Sequence, residues 1–170
     1  GFSGLVNSDG QPIDDAWKEA RREALLSLFA RARPDVLMIE GFPFARRAFR
    51  FELVPLLQAA RAAGIPVAVS VRDIIQPKSP DRVPEVLDWL DRHVDLVLVH
   101  GDPAVVPFSV SFPAVSRIHP TLLHTGYVSP ETGRIMPQNR HGVVVSGGGG
   151  AVAAALFDTS VEACRMLAGQ

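Results

Sequence analysis

Short apolar runs at Val36–Ile39, Val67–Val71, Leu96–Val99 and Val143–Val145 punctuate the chain. Because they are continuous rather than alternating, they predict strands buried on both faces, the signature of a parallel sheet covered by helices. Helical spacing fills the intervals. Trp17, Ala20, Ala24, Leu25, Leu28 and Phe29 fall on one face, with Lys18, Glu19, Arg21, Arg22 and Glu23 on the other, so a helix is predicted from about Pro12 or Asp14 until Pro34 stops it. A second helix is predicted over Phe51–Ala63, ended by Gly64, and a third from an Asp81 cap to about Arg92, with Pro84 tolerated in its first turn. A fourth is predicted over Ala151–Leu167.

Strands alternating with helices give an α/β fold with a doubly wound parallel sheet. Residues 129–140 interrupt the pattern with two prolines, Gly133 and little apolar content, and read as a linker. The expected organisation is a first domain over 1–128 and the start of a second over 141–170. One strand, one glycine loop and one helix cannot bury a core alone, so the second domain is expected to continue past Gln170.

Composition refines this picture in few places. The 170 residues are 47% apolar and 21% charged with net charge −1, as in a globular protein with a real core and no bulk attraction to nucleic acid. Cys164 is the sole cysteine, which excludes an intrachain disulfide and a thiol-zinc framework and fits a cytoplasmic setting. No apolar stretch is long enough to span a bilayer. His93, His119, His124 and His141 show no metal-ligand spacing with acidic neighbours, and neither metal nor cofactor is assigned.

Candidate chemistry collects where the strands end, since ligands of open α/β sheets bind beyond the carboxyl ends of the strands. After the first strand, Glu40 precedes a loop in which Arg46, Arg47 and Arg50 interleave with Phe42, Phe44, Phe49 and Phe51. Arginines there can hold phosphate or hydroxyl groups while Glu40 orients a hydroxyl or acts as a base. Equally, Glu40 can pin its own loop through an ion pair, with at least two of the phenylalanines in the core. Docking of this basic-aromatic patch onto an anionic membrane surface is a third reading. Arg72 and Asp73 close the second strand, and His100 and Asp102 the third. Tyr127 stands at the return towards the second domain. Ser146, Gly147, Gly148, Gly149 and Gly150 join a strand to a helix, where bare backbone and the helix N-terminus suit a phosphate. A dinucleotide fingerprint fits this loop poorly, because Val152 occupies the place of the last small residue.

Several phrases in order, Arg33-Pro34-Asp35-Val36-Leu37-Met38-Ile39-Glu40, Phe42-Pro43-Phe44, Arg46-Arg47, Arg50-Phe51-Glu52-Leu53, Ser70-Val71-Arg72-Asp73, Val99-His100-Gly101-Asp102-Pro103 and Thr125-Gly126-Tyr127-Val128, resemble a bacterial group of glycosyltransferases related to the MurG-like, nucleotide-sugar-dependent enzymes of the GT-B fold. The resemblance runs over most of the chain. It implies two facing Rossmann-like domains, with the acceptor held mainly by the first and the nucleotide-sugar, UDP-linked, mainly by the second. It further implies that the first strand and its glycine loop precede Gly1, that most of the donor domain follows Gln170, and that this stretch is inactive without that remainder. On this reading Glu40, His100 and Asp102 are catalytic candidates. Arg46, Arg47, Arg50, Arg72, Asp73 and Tyr127 contact substrate, and Ser146 to Gly150 face the donor diphosphate. The competing expectations are an oxidoreductase using an NAD-type nucleotide and a non-catalytic α/β binding domain.

Overall fold

The computed structural model describes residues 5–7, 10–72, 74–76, 79–129, 142–147 and 153–168. The chain packs as two compact units, Gly1–Pro130 and Glu131–Gln170. The first unit runs α1 (Asp15–Ala32), β1 (Leu37–Glu40), α2 (Arg50–Ala62), β2 (Val67–Arg72), α3 (Val83–His93), β3 (Leu96–His100) and β4 (Thr121–His124). In the second unit, α4 covers Ala154–Ala168.

Local chemistry explains most boundaries. The Asp14 side chain caps α1 by accepting the Trp17 N–H at 2.8 Å. Gly64, at φ +67°, closes α2, and the Ile65 N–H returns to the Ala60 carbonyl at 2.9 Å. Asp81 does not cap α3 as expected: it sits inside a 3₁₀ turn, Pro80–Arg82, that leads directly into the helix. Residues 143–147 form no strand, and Val143 and Val144 are 85% and 93% exposed. A strand needs a ladder partner for its backbone groups, and among the described residues none pairs with this run.

All four strands are parallel, in the order β1-β2-β3-β4. This order advances in one direction without reversal, so right-handed crossovers carry the connecting helices to one face. That face holds the core: Ile39, Val67, Val69, Val71, Val97 and Val99 pack with Leu56, Leu57 and Ala60 of α2 and Val86, Leu87 and Leu90 of α3. The opposite face is less covered than the continuous apolar runs suggested, with Met38 59% and Leu123 50% exposed. At the top of the core lies an aromatic cluster. Phe44 meets Phe108 and Phe112 edge-on, with ring centroids 5.6 and 5.2 Å apart, and Phe42 packs on Trp89 at 4.9 Å. Phe42 and Phe44 are fully buried.

Two polar features bind the layers. The buried Glu52 carboxylate on α2 accepts from Arg21 of α1 at 2.5 Å, while that guanidinium also covers the rings of Trp17 and Phe49. The pair ties α1 to α2 and keeps Glu52 from standing as an uncompensated buried charge. On α3, burial and then the cations Arg61 and Arg92 hold the His93 pKa below its ordinary value, against an opposing pull from Asp88. A histidine with a depressed folded pKa binds its proton more readily when unfolded. Its contribution to stability is therefore intact above the ordinary histidine range, about pH 6.5, and is lost as pH falls through it. Urea midpoints are expected to drop more between about pH 7.5 and about pH 5.5 for the wild type than for His93→Gln. Parallel slopes for the two proteins would refute this.

Candidate functional site

The carboxyl ends of three neighbouring strands present Glu40, Arg72 and His100 on one rim. Register places Glu40 beside Ser70 and Arg72 beside His100. Immediately after β1 the chain turns through Gly41, at φ +79°, whose N–H still bonds the Ser70 carbonyl at 2.8 Å and so prolongs the ladder by one rung. The loop then crosses the rim and enters α2 through a 3₁₀ turn, Arg47–Phe49. A Cβ at Gly41 would reach ordinary contact with Ala45 at 3.4 Å, so the penalty for a side chain is conformational. Gly41→Ala is expected to cost about 1–2 kcal/mol of stability, read as a lower midpoint in thermal unfolding; an unchanged midpoint would contradict the strained turn.

Between this loop, the rim and the start of α3 lies a cleft of about 860 Å³. Arg46, Arg47, Arg72 and Arg82 all line it. The first two are neutralised: Arg46 Nη2 donates to Glu40 at 2.9 Å, and Arg47 donates to Glu85. Among the described residues, Arg72 and Arg82 make no ion pair. The cleft therefore has a surplus of two guanidiniums beside apolar walls formed by Phe44, Phe49 and Ile75. Guanidinium forks with low-dielectric surroundings favour phosphate or carboxylate groups.

His100 is held on both sides. Its Nε2 lies 2.6 Å from Ser70 Oγ, and its Nδ1 lies 2.7 Å from Thr125 Oγ1. Ser70 and His100 face the cleft. Thr125 follows β4, a strand that the sequence pattern did not reveal because Thr-Leu-Leu-His is short and largely exposed.

Among the residues expected from sequence, Glu40, Arg46, Arg47, Arg72 and His100 share the cleft. Arg50 opens α2 outside its lining. Asp102 also lies outside and uses its carboxylate to accept the Ala104 N–H at 2.8 Å, closing its own turn. Tyr127 is 63% exposed and does not line it. Asp73, Gly148, Gly149 and Gly150 fall outside the described residues. In the second unit, a Cβ at Gly147 would lie 2.0 Å from the Ala153 Cβ, so the chain can fold back on the start of α4 only with glycine here. Ser146 precedes it and is exposed.

Sequence reasoning missed Arg82, Ser70 and Thr125. Ser70 could have been noticed as the lone hydroxyl in the apolar run Val67–Val71; nothing local distinguished the other two. Among the described residues no three His, Cys, Asp or Glu side chains gather as metal ligands, and no helix is long and apolar enough to cross a membrane.

The fold and cleft together define a parallel α/β domain with an arginine-lined cleft at the carboxyl ends of its strands. Comparison with protein-family models, curated proteins and solved structures returned no match for this chain.

Proposed function

We propose that this chain is part of a glycosyltransferase that moves a sugar from a nucleotide-sugar, UDP-linked, to an acceptor hydroxyl, within a doubly wound two-domain enzyme of the GT-B type. The observation that supports this reading most is the cleft itself: hydroxyl-binding side chains and two unpaired guanidiniums meet at the carboxyl ends of parallel strands. Such a site suits an acceptor that carries both hydroxyls and a negative group.

The reaction needs a base for the acceptor proton and stabilisation of the departing diphosphate. Glu40 and His100 are the groups in the cleft with basic character. Of these, the Glu40 carboxylate already accepts from Arg46. In the displacement, the acceptor oxygen bonds to the anomeric carbon as the bond to the diphosphate breaks and its electron pair leaves with phosphate oxygen. Arginines of the cleft would receive that charge.

The test is calorimetric titration of the whole protein that contains this chain with UDP-, GDP- and dTDP-sugars and with NAD. Saturable binding of a sugar nucleotide supports the proposal. Binding of NAD with no response to any sugar nucleotide overturns it in favour of an oxidoreductase.

A further inference from the structure

The hydrogen bonds around His100 bear on its tautomer as well as its position. Thr125 Oγ1 lies 3.0 Å from the Gly126 carbonyl and 3.4 Å from the Val99 carbonyl. Carbonyl oxygens accept and never donate, so both are ready acceptors for the single Thr125 hydroxyl proton. With its proton on a carbonyl, the Thr125 oxygen serves His100 as an acceptor, and this pairing places a proton on Nδ1. In a neutral imidazole with Nδ1–H, the other nitrogen carries the lone pair. In that tautomer His100 Nε2 accepts from Ser70 Oγ–H across the 2.6 Å contact. The Ser70 oxygen retains lone pairs on the cleft side, and its side chain has no other hydrogen-bond partner among the described residues.

We infer that Ser70, His100 and Thr125 form a proton relay, with His100 as the neutral Nδ1–H tautomer and the Ser70 hydroxyl as the group that meets the acceptor hydroxyl. The catalytic role rests on the transferase reading above; the tautomer does not. In the step, the acceptor O–H proton moves to Ser70 Oγ while the Ser70 proton moves to His100 Nε2. The acceptor oxygen bonds to the anomeric carbon, and the diphosphate leaves with the electron pair of the broken bond. The imidazolium that results keeps its bonds to both hydroxyl oxygens and later releases its proton to solvent. The arrangement has the logic of a nucleophile–base–orienter triad, with the orienter uncharged and the serine passing a proton rather than forming a covalent bond. Glu40 is left to its ion pair with Arg46.

Two measurements test it. Two-bond ¹H–¹⁵N correlation spectra of histidine-labelled protein, recorded above the histidine titration range, distinguish a protonated from a bare ring nitrogen. A bare Nε2 is expected for His100, retained in Ser70→Ala and lost in Thr125→Val, where the Nδ1–H has no acceptor. A protonated Nε2 in the wild type overturns the inference whatever the protein's activity. In a transfer assay with the whole protein, Ser70→Ala is expected to lower kcat about a hundredfold with nucleotide-sugar affinity unchanged. A proton inventory in mixed H₂O and D₂O should show two protons in flight for the wild type and one for the variant, a difference that loss of a merely structural bond would not produce. Unchanged kcat in Ser70→Ala, with activity abolished in His100→Ala, overturns the relay and leaves His100 as a direct base. Absence of sugar transfer despite a bare Nε2 overturns the transferase reading and the catalytic role of the relay, while the tautomer assignment stands.

Discussion

Phe44→Ala is expected to remove about 3–5 kcal/mol of stability, a large share of the roughly 5–15 kcal/mol available to a domain. Phe44 is fully buried, with its ring edge-on to both Phe108 and Phe112. Truncation forfeits the buried ring area, leaves a cavity beneath the cleft and removes two aromatic contacts, each worth about 0.5–1.5 kcal/mol beyond burial. Collapse cannot refill the space cheaply, because the partners come from distant parts of the chain: Phe44 from the loop after β1, Phe108 and Phe112 from the connection between β3 and β4. Urea unfolding should show the midpoint falling by about 2 M for a slope of about 2 kcal/mol per molar. Phe44→Leu should lose far less, about 1–1.5 kcal/mol, because it keeps most of the volume. A loss below about 1 kcal/mol for Phe44→Ala would mean that this cluster does not hold the rim of the cleft in place.

The second large effect concerns charge. On the reading proposed above, Arg72→Gln and Arg82→Gln should each weaken binding of an anionic ligand about tenfold to a hundredfold, corresponding to roughly 1.5–3 kcal/mol per charge-assisted hydrogen bond. Arg46→Gln should do less to affinity, because Arg46 is already neutralised by Glu40. The ordering discriminates between ligand binding and general electrostatics: four cationic side chains line the same cleft, yet two of them are paired with carboxylates. Titration of the variants with pyrophosphate at two salt concentrations would check it. Equal losses for Arg46 and Arg72 variants, or losses that vanish at physiological salt, would show a diffuse field rather than a built anion site.

The strand ends were legible in sequence because two signals coincide there. Val67–Val71 must be a buried strand, so Arg72 directly after it must stand at an edge, whatever the rest of the molecule does. The same argument placed Glu40 and His100. It failed for Asp102, since a short polar side chain two residues beyond a strand bonds its own turn as readily as it faces a ligand. It also failed for the aromatic-arginine loop, where periodicity could not separate Arg50, outside the cleft lining, from Arg46 and Arg47 within it. A tight turn decided that difference: Arg46 adopts φ +56°, and the 3₁₀ turn after it redirects the chain before α2 begins.

By itself the sequence determined the alternation of parallel strands and helices, the burial of at least two of the four phenylalanines after the first strand, and the rim on which Glu40, Arg72 and His100 stand. These follow from short-range rules: apolar periodicity, glycine and proline stops, and the need to bury what water rejects. Tertiary structure alone decided which cations remain unpaired, because Arg47 meets Glu85 across 38 positions and Arg82 is brought to the cleft by the packing of α3. It alone brought Ser70, His100 and Thr125 into line, since neighbours on adjacent parallel strands are separated by a whole crossover and leave no local trace in the chain.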